Sequence, residues 1–125
     1  MRKNLLWLSF LFLPLIYGYG FSEDSIEASK IQYLIGSIEA LQEVTFLRNG
    51  VEYQATQAAD HLRLKLKMAG NRVKTAEDFI RLCGSKSSTT GEAYRMRFPD
   101  GTILDTEVFF RKKMKEFMAG KPCQP

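Results

Sequence analysis

The residues of this sequence that could do chemistry are concentrated in one polar segment, residues 85–91, which reads Ser-Lys-Ser-Ser-Thr-Thr-Gly. Its hydroxyls, lysine and glycine could hold an anionic group, or Lys86 could act as the base for a nucleophilic Ser87 or Ser88. A phosphate loop has a glycine directly before its lysine, and a lysine-activated serine precedes the lysine by three residues. Here those positions hold another serine and a cysteine. The segment therefore predicts a binding loop, with a cell-wall-directed hydrolase or transferase as the alternative.

The single histidine, His61, is the other residue with catalytic potential. Catalysis by histidine needs a nucleophile and an orienting acid, and neither is recognisable from the sequence. One histidine and two cysteines do not form a zinc pattern, so we assign no catalytic residue, no metal and no cofactor. We interpret the polar segments as binding surfaces, and their candidate residues are Arg48, Asn49, His61, Arg63, Lys86, Ser87, Ser88 and Tyr94.

The first 20 residues predict a cleaved export signal. Arg2 and Lys3 precede an apolar run over residues 5–17, which ends at the small-x-small triplet Gly18-Tyr19-Gly20. The run is shorter than the roughly 20 apolar residues that cross a bilayer. We expect cleavage after Gly20, which leaves residues 21–125 as one domain in the periplasm, with secretion as the alternative.

Composition limits the classes of partner. The chain has 125 residues, 45% hydrophobic and 26% charged, which fits one ordinary globular domain. Removal of Arg2 and Lys3 lowers the formal net charge from +4 to +2, too weakly basic to predict nucleic-acid binding. A last helix with a short basic stretch could touch a membrane surface transiently, although such charges are usually solvated; its cations are Arg111, Lys112, Lys113 and Lys115.

The elements that must position the candidate residues begin with a helix and a hairpin. Apolar residues at helical spacing predict a first helix from Asp24 to about Glu43, with Asp24 and Glu27 as its capping box. Asn49-Gly50 between two β-prone stretches predicts a hairpin with a type I′ turn. A second helix follows over residues 56–68, and its wide apolar face includes Leu64 and Met68.

The second half of the chain repeats this order. Thr75 predicts the start of a third helix, which ends at Gly84. Alternation of apolar residues with arginines over residues 94–98, followed by a Pro-Asp-Gly turn, predicts a second hairpin. A last helix is expected from residue 105 or 106 to Met118, with Met118 facing inward. The chain is therefore predicted to be an α+β domain of about four helices and two short β-hairpins.

Cys83 and Cys123 are the only cysteines, and in an oxidising compartment two cysteines favour one disulfide. That bridge would close a loop of about 40 residues and stabilise the fold by roughly 3–4 kcal/mol on the chain-entropy model. We keep the disulfide as an expectation that rests on the compartment alone.

Several stretches together resemble the YfeK-like proteins, a family of small exported bacterial proteins. They are Phe46–Gly50, His61–Leu66, Asn71-Arg72, Thr75–Ile80, Ser85–Gly91 and Tyr94. The resemblance implies a Gram-negative periplasmic setting, a single small domain of unknown function and no established catalytic residues. Our leading hypothesis is a non-enzymatic protein that binds a periplasmic protein or cell-envelope component through the hairpin tip and the hydroxyl-rich loop.

Overall fold

The computed structural model describes residues 23–120 of the chain, which form four α-helices and four β-strands. In chain order they are α1 (Glu23–Glu39), β1 (Thr45–Arg48), β2 (Val51–Tyr53), α2 (Ala55–Ala69), α3 (Ala76–Phe79), β3 (Arg95–Arg97), β4 (Ile103–Asp105) and α4 (Thr106–Met118). A 3₁₀ turn, Gly70–Arg72, follows α2, and a π-helical turn, Ile80–Gly84, continues α3. The predicted α+β class is confirmed. The predicted export signal lies outside the described residues.

The two hairpins join into one antiparallel sheet with strand order β2-β1-β3-β4. Phe46 lies opposite both Tyr53 and Met96, and Met96 lies opposite Leu104, so these four side chains share the inner face. In the turn between β1 and β2, Asn49 has φ 53° and Gly50 has φ 78°, the left-handed pair that a type I′ turn needs. The sequence predicted each hairpin, and the structure adds the pairing of β1 with β3 that unites them.

The core lies between the inner face of the sheet and the four helices. The rings of Phe79 and Phe110 meet edge to face, with 5.8 Å between their centroids. Gly84 is buried directly against Phe110, where a methyl group on its Cα would come within 2.5 Å of the ring. The largest fully buried side chains are Phe79, Phe110, Leu34, Ile35, Ile38, Ile80, Met96 and Cys83.

Helix ends differ from the predictions by a few residues. Helix α1 ends at Glu39, four positions before the predicted Glu43. There the Leu41 N–H bonds the Ile38 carbonyl, three residues back, and this tighter turn brings Val44 into the core. Helix α2 begins at Ala55 because the Gln57 side chain accepts a hydrogen bond from the Gln54 N–H at 2.9 Å.

Three apolar side chains that were expected inside are exposed. Leu64 is 53% and Met68 73% exposed on α2, and Met118 is 66% exposed at the end of α4. Among residues 23–120, α2 is covered on one side only, by α1, the π-helical turn and β1. The prediction that the apolar face of α2 extends to Leu64 and Met68 was therefore wrong. Within the same residues, none of the helices combines the length and the apolar character needed to cross a membrane.

Glu27 has a different partner from the predicted one. Asp24 already lies inside α1, and the Glu27 carboxylate instead accepts a hydrogen bond from the Ala76 N–H at 2.7 Å. Lys30 donates to the same carboxylate at 2.9 Å. Thr75 and Asp78 form the predicted capping box at the start of α3. Glu27 therefore ties the first turn of α3 to α1.

Candidate functional site

A small pocket of about 40 Å³ lies between the inner face of the sheet and helix α2. Three of its polar residues belong to one row of neighbouring side chains that crosses the sheet from strand to strand. Leu47 is paired with Arg95, and Arg95 with Asp105, so the next residues along, Arg48, Tyr94 and Thr106, fall side by side on the inner face. Tyr53 from β2 and His61 from α2 complete the polar lining, and the apolar lining comes mainly from Ile38, Phe46, Ala58 and Leu62.

Hydrogen bonds organise the rim of this pocket. Lys65 Nζ donates to the Tyr94 hydroxyl at 3.0 Å and to the Lys86 carbonyl at 3.0 Å, and it lies 4.9 Å from the centroid of the Tyr94 ring. His61 Nε2 is 3.4 Å from the same hydroxyl, and its ring meets the Tyr94 ring edge to face. Arg48 donates to the Tyr53 hydroxyl at 2.9 Å. Two cations and one imidazole therefore surround two phenols.

The pocket is electrostatically positive. No carboxylate among residues 23–120 forms an ion pair with Arg48 or Lys65. Burial lowers the pKa of His61, and the nearby charges of Arg48 and Lys65 lower it further, so the imidazole is neutral at pH 7. An anion at the rim would be attracted by the charges of Arg48 and Lys65 and would meet no carboxylate from the lining residues.

Thr106 is the one buried side chain whose polar atom has no hydrogen-bond partner within residues 23–120. Its Oγ1 belongs to a residue that is 4% exposed and lines the pocket. The backbone of Thr106 is satisfied, because its N–H donates to the Tyr94 carbonyl at 2.9 Å. Buried hydroxyls in folded proteins almost always have a partner, so Thr106 Oγ1 has a hydrogen-bonding capacity that residues 23–120 do not use.

The hydroxyl-rich loop is fastened to the hairpin tip beside the pocket. Asn49 Nδ2 donates to Ser87 Oγ at 3.1 Å, and Thr90 Oγ1 donates to Asn49 Oδ1 at 2.6 Å. Ser87 Oγ also accepts from the N–H groups of Thr89 and Thr90, at 3.3 and 3.4 Å. Ser87 is only 4% exposed. Its hydroxyl therefore organises the loop and is not free for nucleophilic attack.

The predicted site residues divide into two groups. Arg48, His61 and Tyr94 come together around the pocket, although His61 and Tyr94 are 33 residues apart in the sequence. Asn49 and Ser87 form the neighbouring clamp between hairpin and loop.

The remaining predicted residues lie away from the pocket. Lys86 reaches the rim only through its backbone carbonyl, and Ser88 is exposed. Arg63 points elsewhere on α2, where it pairs with Glu39 at 2.6 Å and with Asp60 at 2.9 Å.

Sequence reasoning missed three polar residues of the site: Lys65 at the rim of the pocket, and Tyr53 and Thr106 in its lining. Lys65 lies four residues after His61, so a helical reading places both on one face of α2, and this signal was available. Tyr53 and Thr106 reach the pocket through strand register, which no local pattern in the sequence reveals.

Residues 23–120 contain no group of three or more His, Cys, Asp and Glu side chains that could hold a metal ion. On α4, Arg111 forms ion pairs with Glu77 at 2.8 Å and with Glu107 at 3.0 Å, and Lys113 pairs with Glu116 at 3.1 Å. Half of the four cations proposed for membrane contact are therefore already paired with carboxylates.

Cys83 is buried in the core and forms no disulfide within residues 23–120, and burial raises the pKa of its thiol. Cys123 lies outside the described residues. The disulfide between them stays a prediction.

Comparison with known proteins identifies relatives of unknown function. A model described as a family of unknown function, DUF5329, matches residues 25–118. The uncharacterized protein YfeK of Salmonella typhimurium is 40% identical over 68 residues, which cover 54% of this chain and 57% of the Salmonella protein. The chain therefore spans little more than half the length of this relative. No solved structure matches the chain at a significant level.

Proposed function

The chain belongs to the DUF5329 family of unknown function, and from the geometry of its pocket we propose that it is a non-enzymatic binding module of the periplasm. Its partner is a periplasmic protein or a component of the cell envelope. The observation that carries the proposal is the presence of two cations at a small pocket beside a neutral His61. Arg48 lines the pocket, Lys65 lies at its rim, and neither forms an ion pair among residues 23–120. Unneutralised cations at a preformed pocket favour binding of an acidic group.

Binding is a better account of this site than catalysis. Of the two serines considered as nucleophiles, Ser87 is buried and accepts hydrogen bonds from Asn49 and from two backbone N–H groups, and Ser88 is exposed and lies away from the pocket. Lys65 is bound to the Tyr94 hydroxyl, and His61 faces that same hydroxyl. A general base acts on a nucleophile within hydrogen-bond reach, and here the reachable group is a phenol engaged with an ammonium.

The periplasmic setting rests on the leader pattern of residues 1–20, in which a charged start precedes an apolar run and a small-x-small triplet. In that compartment, acidic groups are abundant on peptides, on cell-wall fragments and on lipid headgroups. The pairing of Arg111 and Lys113 with carboxylates argues for the pocket, and against α4, as the surface that binds such groups.

The proposal is tested by capture on the exported protein. We expect the immobilised protein to retain material from periplasmic extract or from solubilised envelope fragments, and Arg48→Gln to lose most of it. Arg63→Gln is the matched control, because Arg63 lies on the same domain but is already paired with Glu39 and Asp60. Equal retention by wild type and Arg48→Gln would contradict the proposal, as would turnover of muropeptides by the purified protein.

A further inference from the structure

We propose that the pocket binds a carboxylate attached to a short apolar group, as found in a small organic acid or at the C-terminal end of a peptide. This inference rests on the proposed binding function and names its ligand chemistry. It is carried by three independent features of the pocket: its size, the free donors on its rim, and the unpartnered hydroxyl of Thr106.

The size of the pocket selects a short group. A cavity needs roughly 10–15 Å³ to hold one water molecule, so about 40 Å³ accommodates on the order of three or four non-hydrogen atoms. The lining from Ile38, Phe46 and Leu62 is apolar. A methyl or methylene group therefore belongs inside the pocket, and the charged end of the ligand belongs at the rim, where desolvation costs less.

The rim offers a carboxylate the donors that it needs. Of the five N–H donors of the Arg48 guanidinium, one is given to the Tyr53 hydroxyl, so the planar fork can still bind two oxygens. Lys65 supplies a second positive charge, and both cations lie close enough to His61 to lower its pKa. Because the imidazole is neutral, it can donate one hydrogen bond without adding a third positive charge beside Arg48 and Lys65.

Thr106 gives the ligand a buried hydrogen-bond partner. Its Oγ1 lies in the same cross-sheet row as Arg48 and Tyr94 and has no partner among residues 23–120. A ligand oxygen within reach would satisfy this hydroxyl. Replacement of an unpartnered buried hydroxyl by a methyl group of the same shape is nearly neutral for folding, so Thr106→Val separates a binding role from a structural one.

The experiment is calorimetric titration of the exported protein with N-acetyl-alanine. We expect saturable binding, a loss of about tenfold or more with N-acetyl-alanine amide, which lacks the charge, and a similar loss with N-acetyl-phenylalanine, which exceeds the pocket. Propionate identifies the source of the ligand: tighter binding of N-acetyl-alanine indicates a peptide end, and tighter binding of propionate indicates a free acid. Inorganic phosphate is expected to bind more weakly than either.

Variants complete the test. Arg48→Gln and Lys65→Gln should each weaken binding about tenfold, since a charge-assisted hydrogen bond is lost, while Lys67→Gln, on the exposed side of α2, should change nothing. Thr106→Val should weaken binding and leave the thermal midpoint unchanged or higher. No saturable binding, equal affinity for phosphate, or indifference to Arg48→Gln would overturn the inference. Capture of envelope material that depends on Arg48, without carboxylate binding, would overturn this ligand class and leave the binding function intact.

Discussion

His61 and Tyr94 show what a residue type can and cannot reveal by itself. The sequence singled out both as candidates because of their chemistry, but the reason they meet is the alignment of α2 over the row of side chains that crosses the sheet. Lys65 Nζ lies closer to the Tyr94 hydroxyl than His61 does. Its position four residues after His61 already indicates that both side chains lie on one face of α2. No sequence pattern indicates Thr106, because what distinguishes it is that its Oγ1 has no hydrogen-bond partner among residues 23–120.

The pKa of His61 predicts how stability depends on pH. Because the folded protein lowers this pKa, the unfolded chain takes up a proton first, near pH 6.5, and stability falls as the pH drops below that value. Arg48 from β1 and Lys65 from α2 are the charges that oppose protonation. Urea unfolding at about pH 7.5 and about pH 5.5 should show a lower free energy of unfolding at the acidic pH.

The matched variant for this measurement is His61→Gln. The carboxylates with lowered pKa values, such as Glu27 and Asp78, lose their contribution only below about pH 4.5, so they do not interfere in this window. The variant should show a flatter pH dependence. A decline as steep as that of wild type would show that His61 is not its source.

Asn49 has two functions that substitutions can separate. Its positive φ forms the hairpin turn, and its amide joins Ser87 and Thr90 of the loop. Asn49→Gly keeps the backbone conformation and removes the clamp, at an expected cost of about 1 kcal/mol. Asn49→Ala also removes the clamp but keeps a Cβ in the left-handed region without the polar group that lets asparagine adopt it, and should cost about 1 kcal/mol more than Asn49→Gly. Chemical denaturation of the two variants measures both contributions, and equal stabilities would contradict the division.

At the scale of elements, local patterns predicted the existence of each helix and hairpin, whereas neighbours decided their extents and buried faces. Apolar spacing located α1, and the capping box of Thr75 and Asp78 located the start of α3, because both patterns are local. The extent of the buried face of α2 was predicted wrongly, because whether Leu64 and Met68 are covered depends on elements elsewhere in the chain. The early end of α1 has the same origin, in the turn that brings Val44 into the core.

The link between α1 and α3 through Glu27 is a testable long-range capping contact. Loss of its carboxylate leaves the Ala76 N–H without its partner, so Glu27→Ala should lower the free energy of unfolding by about 1–2 kcal/mol. The bond to the Ala76 N–H, followed by that to Lys30, lowers the pKa of Glu27. Its stabilising effect is therefore full above about pH 4.5 and declines as the pH falls below that value.

Glu23→Ala is the control for this contact, since Glu23 is an exposed glutamate in the same helix. Its effect should be within about 0.5 kcal/mol. Thermal or chemical unfolding of both variants at neutral pH provides the comparison. A cost for Glu23→Ala that matches the cost for Glu27→Ala would attribute the effect to the charge of α1 and not to the cap on α3.

At the scale of the whole molecule, the α+β class followed from the order of elements, but the single sheet did not. Asn49-Gly50 and the Pro-Asp-Gly turn at residues 99–101 each specify a local hairpin. The pairing of β1 with β3 joins segments about 50 residues apart, for which no local pattern exists. That pairing also builds the pocket, so the site could not be assembled from the sequence.

The predicted export signal of residues 1–20 can be tested on the exported protein. If residues 1–20 are removed on export, the mature protein begins at Phe21 and has lost Trp7, its only tryptophan. Intact-mass measurement of protein recovered from the periplasm should give the mass of residues 21–125, and its fluorescence should be that of tyrosine alone. Recovery of the full-length chain with tryptophan emission, inside the cell, would contradict export.

The central claim, that the pocket beneath the first hairpin binds an acidic group, is tested most directly by residue-resolved NMR of the exported protein during titration with N-acetyl-alanine. The account predicts saturable amide and side-chain shifts at the pocket, with the exposed cations of α4 unaffected. Shifts confined to Lys112 and Lys115 of α4, or no saturable shift at all, would contradict it. The residues expected to respond are Arg48, Tyr53, His61, Lys65, Tyr94 and Thr106.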